Sequence, residues 1–437
     1  MPVLSIAVVG AGPAGLYLAS ELMAATDRDV RVDVYDRLPT PFGLLRYGVA
    51  PDHLKMKALA VPLQRTVEDE RVRFLGNVEL GRDITVEELR EHYSAVVYSY
   101  GASSDRRLGI PGEDLTGNVP ATEFVRWYSG HPDTVTTQSV LDAESAVVVG
   151  AGNVAVDVAR ILVKAVDELD ETDIPEPVLA ALRLSKIRDV HILVRRGPAQ
   201  VKFTTKELRE LGELDGVDVV VAPAALDLDP ESAATLETDR VAKRNVEALR
   251  EWSTRAPTGA QRRLIFHFWT SPTEISGTDG HVAQVAVRAN RPVAGQSEEP
   301  IRAQLVIPSV GYFGVAVPGV PYDEATGTLS NAEGRVLRDG GVAPGEYACG
   351  WIARGPSGVI GTNRSNAKRV VELMVEDDLP DVEPWDAVTA LTDRGVAVVT
   401  REGWNAIDAA EVALGAGAGR ARTKLETWES LLAAGRG

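Results

Sequence analysis

The stretch Gly10-Ala11-Gly12-Pro13-Ala14-Gly15 has the residue types and spacing of a phosphate cradle. It follows an apolar run over residues 4–9 that reads as a buried strand. It precedes residues 16–25, where Leu16, Ala19, Leu22 and Met23 fall at helical spacing. Glycines at a strand-to-helix turn have three tasks. Gly10 permits the tight turn, Gly12 lets the backbone approach a pyrophosphate, and Gly15 lets helix and sheet pack closely. The first N–H groups of the helix, at the positive end of its dipole, then hold the phosphates. A second strand, residues 30–35, ends at Asp36. That acid lies about twenty residues past the last glycine, where a carboxylate accepts from an adenosine ribose hydroxyl. The pattern predicts a dinucleotide site.

The arrangement recurs. Residues 146–149 read as a core strand, followed by Gly150-Ala151-Gly152-Asn153-Val154-Ala155 and a helix with apolar positions at Val154, Val158, Ile161, Leu162 and Ala165. Ala155 in place of the third glycine is within the fingerprint. The next strand, residues 190–194, ends in Arg195-Arg196 rather than an acid. Guanidinium groups grip a 2′-phosphate bidentately, where a carboxylate would repel it. The first site is therefore expected to take an unphosphorylated ribose, as in FAD or NAD, and the second NADP. The bland alternative for the arginines is a solvated pair at a strand end.

Between these motifs, residues 38–53 form a loop rich in proline and glycine yet lined with apolar side chains, suited to packing on something flat such as a flavin ring. Residues 54–70 are expected to be a helix interrupted or kinked at Pro62. A strand pair is expected over 72–80, and a buried strand over 95–101. Residues 167–188 read as a polar helical insertion, and 231–263 as a charged helical stretch whose basic residues are mostly a solvated face. Strands over 264–269 and 282–288 fill out the second domain. A third glycine-rich turn, within 347–363, follows another strand and precedes a helix from about Ser365. The last stretch, 384–437, reads as a helical tail.

A chain of 437 residues is too long for one ordinary core, so two intertwined domains are expected. Apolar content of 44 % with 25 % charged residues describes a soluble globular protein. No signal peptide is expected ahead of the opening strand, no apolar stretch is long enough to span a bilayer, and the cytoplasm is the default compartment. Cys349 is the only cysteine, which excludes an intramolecular disulfide, a CxxC redox pair and a cysteine-ligated cluster. The formal charge of −17 argues against non-specific nucleic-acid binding, and six histidines without ligand-like spacing predict no metal site.

The strings GAGPAG, PFGLLRYGVAPDH, FLGNVELG, GAGNVAVDVARIL, RRGPAQVKFTTKELREL and GWIARGPSGVIGT run in order from Gly10 to Thr362. Together they resemble the adrenodoxin-reductase-like ferredoxin–NADP reductases, the group of mitochondrial adrenodoxin reductase and its stand-alone bacterial relatives. The resemblance implies an α/β fold of two Rossmann-like nucleotide-binding domains with glutathione-reductase-like architecture. An NADP domain (106–319) would be inserted in an FAD domain (1–105 and 320–437). It implies that Gly10, Gly12, Ala14 and Gly15 hold the FAD pyrophosphate and that Asp36 takes the ribose, with shorter reach than the family's usual Glu. Leu44 and Leu80 would line the FAD site. Trp351, Gly358, Val359 and Ile360 would close over the isoalloxazine ring, Gly358 lying near the nicotinamide as well. Gly152, Asn153 and Val154 would carry the NADP pyrophosphate, and Arg195 and Arg196 the 2′-phosphate. Glu207 and Arg106 would make further NADP contacts, and His53 and Glu210 match the charged pair near flavin and nicotinamide.

Three further departures stand out: Val194 where the family often has Gly, Ala353 in place of a usual Lys, and Leu54 in place of a Pro. None removes a cofactor contact.

The implied activity is hydride transfer from NADPH to FAD, then single electrons to a ferredoxin- or adrenodoxin-type iron–sulfur protein, with a cytochrome P450 as a candidate end user. A monomer is expected, although the sequence does not fix the oligomeric state. Other readings stay open: a diaphorase or monooxygenase, or a non-enzymatic nucleotide-binding module. A disulfide reductase is excluded by the single cysteine, and a glutamate synthase subunit by the lack of a cysteine-rich cluster.

Overall fold

The computed structural model describes residues 1–134, 141–291, 298–358 and 360–436. The chain forms two compact units. The first comprises Met1–Ser104, Ser129–Asp133 and Tyr312–Gly437, and the second Asp105–Tyr128 and Thr134–Gly311. The first unit resumes at Tyr312 and also takes in the short segment Ser129–Asp133.

The first unit opens with β1 (Leu4–Val9), α1 (Pro13–Ala25), β2 (Val30–Asp36), β3 (Val72–Gly76) and β4 (Ala95–Tyr98). The second contains β5 (Ser145–Val149), α2 (Asn153–Val163), β6 (Asp189–Val194), α3 (Thr205–Leu211), β7 (Val217–Val221) and α4 (Arg240–Ser253). It continues with β8 (Arg262–Phe268), β9 (Thr270–Thr278), β10 (His281–Ala289), β11 (Ile301–Arg302) and β12 (Leu305–Pro308). The first unit then adds β13 (Asn331–Ala332), β14 (Arg335–Arg338), β15 (Gly341–Ala348), α5 (Ile360–Glu376) and α6 (Arg401–Gly417).

In the first unit the sheet order is β13-β14-β15-β4-β1-β2-β3. The strands from β15 to β3 run parallel, and β13–β14–β15 is an antiparallel meander. All six residues of β1 are buried because both of its faces are covered. Leu4, Ile6 and Val8 enter one core with Leu16, Leu22, Val370 and Met374, whereas Ala7 and Val9 enter another with Tyr35, Leu75 and Tyr98. The second unit has an all-parallel sheet, β12-β5-β6-β8-β7. Ala146 and Val148 of β5 face the helices, and Val147 and Val149 face the antiparallel sheet β9-β10-β11 through Ile275, Val282 and Val285. In each sheet the strand that feeds a glycine turn lies between neighbours on both sides. That is the switch point where α/β folds leave a crevice beyond the strand ends.

Several local expectations change. The helix expected over 54–70 breaks at Ala58–Leu59 into Leu54–Lys57 and Ala60–Glu68. Pro62 falls in the first turn of the second piece, where its missing N–H removes no intrahelical bond. The strand pair over 72–80 is a single strand. Asn77 takes φ +58 and turns the chain, and Leu80 makes only an isolated bridge to Ile84. The polar insertion is a short 3₁₀ turn, Val166–Leu169, followed by a helix, Glu176–Arg183. The charged stretch is two helices, Pro230–Thr238 and α4, and its end at Arg262 and Arg263 belongs to β8. Asp239 sets the break between those helices by capping the Val241 and Ala242 N–H groups. The helix after the third glycine turn starts at Ile360 rather than Ser365. Among the described residues no helix is long and apolar enough to cross a membrane.

Candidate functional site

The first glycine turn is shaped by close approach. Gly10 has φ +112, and a Cβ there would lie 2.6 Å from the Ser99 carbonyl oxygen. A Cβ on Gly15 would collide with the Gly10 carbonyl oxygen. Gly12 differs: no heavy atom lies within 4 Å of where its Cβ would be. It caps α1 without a side-chain hydrogen bond, and Pro13 opens the helix. The first-turn N–H groups, those of Ala14 and Gly15 included, are left for an outside acceptor across open space, as an anion requires. Phe42 is tied to the turn, its N–H donating to the Ala11 carbonyl at 2.8 Å.

Asp36 does more than its position predicts. Its carboxylate accepts the Ala11 N–H at 2.8 Å and the Leu38 N–H at 2.9 Å, which ties the acid to the glycine turn itself. Burial pushes its pKa up, against the pull of those two N–H groups. Each oxygen keeps a second lone pair for a hydroxyl donor.

The apolar loop carries Leu44 on a one-turn helix, 44 % exposed, while Leu80 is buried. His53 is also buried, and its carbonyl accepts the Met56 and Lys57 N–H groups. At the third glycine turn Trp351 stacks on Tyr312, with ring centroids 6.3 Å apart at 18°. The Trp351 indole Nε1 is buried without a hydrogen-bond partner among the described residues. Gly358 has φ +82. Val359 lies outside the described residues, and Ile360 begins α5. Arg354 fastens the turn to α5 by bonding Ser357 and, at 2.9 Å, Asn363 Oδ1.

In the second unit a Cβ on Gly150 would collide with the Ser309 carbonyl oxygen, while Gly152 again faces open space at the start of α2. Asn153 Oδ1 accepts the Thr204 N–H at 2.8 Å, and the Ala151 carbonyl accepts the Lys202 N–H at 2.8 Å. The segment before α3 is thereby pinned beside the turn, and Val154 packs against the core. Arg195 and Arg196 are exposed, and neither pairs with a carboxylate among the described residues. In a protein of charge −17, two adjacent guanidinium groups without an acid are a ready anion site. The Arg106 N–H donates to the Gly311 carbonyl at 3.0 Å, and its side chain lies over that glycine.

Two acids on α3 part company. Glu207 is 4 % exposed, and its Oε2 is buried with no hydrogen-bond partner among the described residues. An unmatched carboxylate oxygen of this kind is costly unless a donor arrives. Glu210 is instead held by the protein. Its Oε2 accepts from Arg160 Nη1 at 3.0 Å, and its Oε1 lies 3.4 Å from Lys206 Nζ. Arg160, almost wholly buried, also reaches Asp157 at 3.0 Å. Sequence reading left Arg160 out, although Asp157 and Arg160 at i,i+3 in an otherwise apolar helix were the available signal. His53 belongs to the first unit and Glu210 to the second.

A sequence model of the pyridine nucleotide-disulphide oxidoreductases matches residues 4–240. The NADPH-ferredoxin reductase FprA of Mycobacterium tuberculosis is 43 % identical over 99 % of both chains. The mitochondrial NADPH:adrenodoxin oxidoreductase of Homo sapiens is 39 % identical over 98 % of this chain and 91 % of its own. The solved structure of Mycobacterium tuberculosis FprA in complex with NADPH matches at a TM-score of 0.93, covering 100 % of both chains at 43 % identity. The two glycine turns, the acid after one and the arginines after the other thus sit in a shared frame: the chain belongs to the pyridine nucleotide-disulphide oxidoreductase family, within the group of the NADPH-ferredoxin and NADPH:adrenodoxin reductases.

Proposed function

We propose that the protein is an FAD-dependent oxidoreductase that takes hydride from NADPH and passes electrons one at a time to a ferredoxin-type iron–sulfur protein. The observation that carries the proposal is the contrast between its two nucleotide cradles. Each has a glycine facing open space at a helix start, but one is followed by Asp36 and the other by two exposed arginines that pair with no carboxylate among the described residues. The first suits the adenosine of FAD and the second the 2′-phosphate of NADPH.

The residues present fit both groups. Gly10, Gly12, Ala14 and Gly15 would hold the FAD pyrophosphate and Asp36 its ribose. Leu44, Leu80, Trp351, Gly358 and the Val359-Ile360 step would enclose the ring, and Trp351 Nε1 supplies a buried donor in need of an acceptor. In the second unit Gly152, Asn153 and Val154 would receive the NADP pyrophosphate, Arg195 and Arg196 the 2′-phosphate. Arg106 would add a cation, and Glu207 would accept from a hydroxyl or amide of the nucleotide. When bound, FAD supplies the two-electron and one-electron chemistry, which no side chain can. The protein's own task is placement and charge. His53 would fix the flavin loop, and Glu210 would hold its charge against Arg160. A cytoplasmic setting is in keeping with the buried free thiol of Cys349.

An absorbance spectrum of the purified protein, followed anaerobically with NADPH and separately NADH, tests the reading. Flavin bands bleached by NADPH at far lower concentration, then restored by an oxidised [2Fe–2S] ferredoxin, are expected. A colourless protein that FAD cannot reconstitute would leave only a nucleotide-binding module. A yellow protein preferring NADH would overturn the roles of Arg195 and Arg196.

A further inference from the structure

Trp269 links β8 to β9 with φ +58, a left-handed backbone that bulky residues rarely adopt. Such conformations persist only where the surroundings over-determine them, and they collect at ligand clamps. Here the surroundings are the double-arginine turn. The Trp269 N–H donates to the Arg196 carbonyl at 3.1 Å, and the Trp269 carbonyl accepts the Asn290 N–H at 2.6 Å. Its ring lies against Gly197 so closely that a Cβ there would collide with it, and the Arg291 guanidinium sits 4.5 Å from the ring centroid. Asn290 completes the anchor: its Nδ2 donates to the Arg195 carbonyl at 2.8 Å and to Ser271 Oγ at 2.8 Å. Each arginine therefore has its carbonyl tied down from the β8–β9 corner and the end of β10. Both guanidinium groups remain exposed and without an acid partner among the described residues.

A fixed backbone under two exposed cations is preorganisation. Less motion is lost when a tetrahedral dianion arrives. We infer that Trp269 and Asn290 are positioning residues that preset the Arg195–Arg196 turn for a phosphate monoester on a nucleotide ribose, and so set the preference for NADPH over NADH. The inference rests on the assignment of the two arginines made above.

Holoprotein variants Asn290→Ala, Trp269→Ala and Trp269→Phe, with Arg195→Ala and Arg196→Ala beside them, test it. The readouts are the ratio of kcat/KM for NADPH over NADH with ferricyanide as acceptor, and calorimetric binding of 2′,5′-ADP against 5′-AMP. Asn290→Ala and Trp269→Ala are expected to lower the NADPH/NADH ratio about tenfold through KM rather than kcat. They should also weaken 2′,5′-ADP by a similar factor with much less effect on 5′-AMP. Trp269→Phe, which keeps a ring against Gly197, should recover most of the ratio. If Asn290→Ala and Trp269→Ala leave the ratio intact, or depress both nucleotides equally, the inference is wrong. Should Trp269→Ala fail to fold, Asn290→Ala and Trp269→Phe still decide. If the arginine variants lose discrimination while the corner variants keep it, only this inference falls. If the arginine variants keep it, the underlying assignment falls too.

Discussion

At the scale of single residues, Glu207 shows how a site declares itself through what it lacks. A buried carboxylate oxygen without a donor opposes the fold, and the natural remedy is a ligand hydroxyl or amide. Glu207→Gln removes the charge and keeps the shape. It is expected to raise stability by about 1 kcal/mol in urea titrations, while raising KM for NADPH several-fold. Unchanged stability with unchanged KM would mean that the oxygen is neither strained nor used. The position of Glu207 was legible from its motif string, but its burial was not, since Glu207 and Glu210 lie one turn apart on a helix that reads as charged throughout. What separates them is Arg160, which comes from another helix and reaches Glu210 but not Glu207.

A second residue pair carries a pH dependence. His191 Nδ1 and His267 Nε2 lie 2.9 Å apart on β6 and β8. Burial, with a smaller contribution from His191, lowers the His267 pKa from 6.5 to about 4. In the unfolded chain His267 gains its proton near 6.5, so between there and about 4 the unfolded state binds more protons. Stability is therefore full above pH 6.5 and falls as the pH drops toward 4, by about 2–3 kcal/mol from this group. Urea midpoints at pH 7.5 and 5 should show the loss, and His267→Leu should shrink it. An equal loss in the variant would assign it to other groups.

At the scale of elements, the core strands and glycine turns were readable because each carries its own pattern, a short apolar run or a fixed glycine spacing. The C-terminal stretch was readable as helical, but not what its helices pack on, because those partners lie hundreds of residues away. Glu411 of α6 is fully buried and pairs bidentately with buried Arg46, with one contact at 3.0 Å, while also accepting the Leu425 N–H at 2.9 Å. Lys424 Nζ donates to the Arg46 carbonyl at 2.9 Å, and the Trp404 ring meets Phe42 edge-on. The tail is thus the other half of the loop that carries Leu44 and His53. Removing one partner of a buried ion pair leaves an uncompensated charge, so Glu411→Ala is expected to cost about 3–5 kcal/mol. It should also release flavin on gel filtration. Arg46→Met with Glu411→Leu should recover much of the stability, because burying neither charge is often close to neutral. A double variant as unstable as the single one would point to lost packing instead of charge.

At the scale of the whole molecule, the charge of −17 and the arginine pair act on NADPH in opposite directions, and range decides between them. The summed negative field acts from many sites spread over the surface. At about 0.1 M salt the screening length is about 10 Å, so most of that repulsion is already gone. A guanidinium in contact with a phosphate oxygen lies well inside that length and weakens only gradually as salt rises. Below about 0.05 M the two effects compete, because salt then relieves repulsion as well. Between about 0.1 and 0.5 M the contact dominates, so KM for NADPH should climb several-fold. KM for NADH, which has no 2′-phosphate to lose, should stay nearly level. Steady-state KM values for both nucleotides across that range, at constant pH, give the comparison. Parallel slopes would show that the arginines act only as part of a diffuse field, and that the preference for the phosphorylated nucleotide arises elsewhere in the second unit.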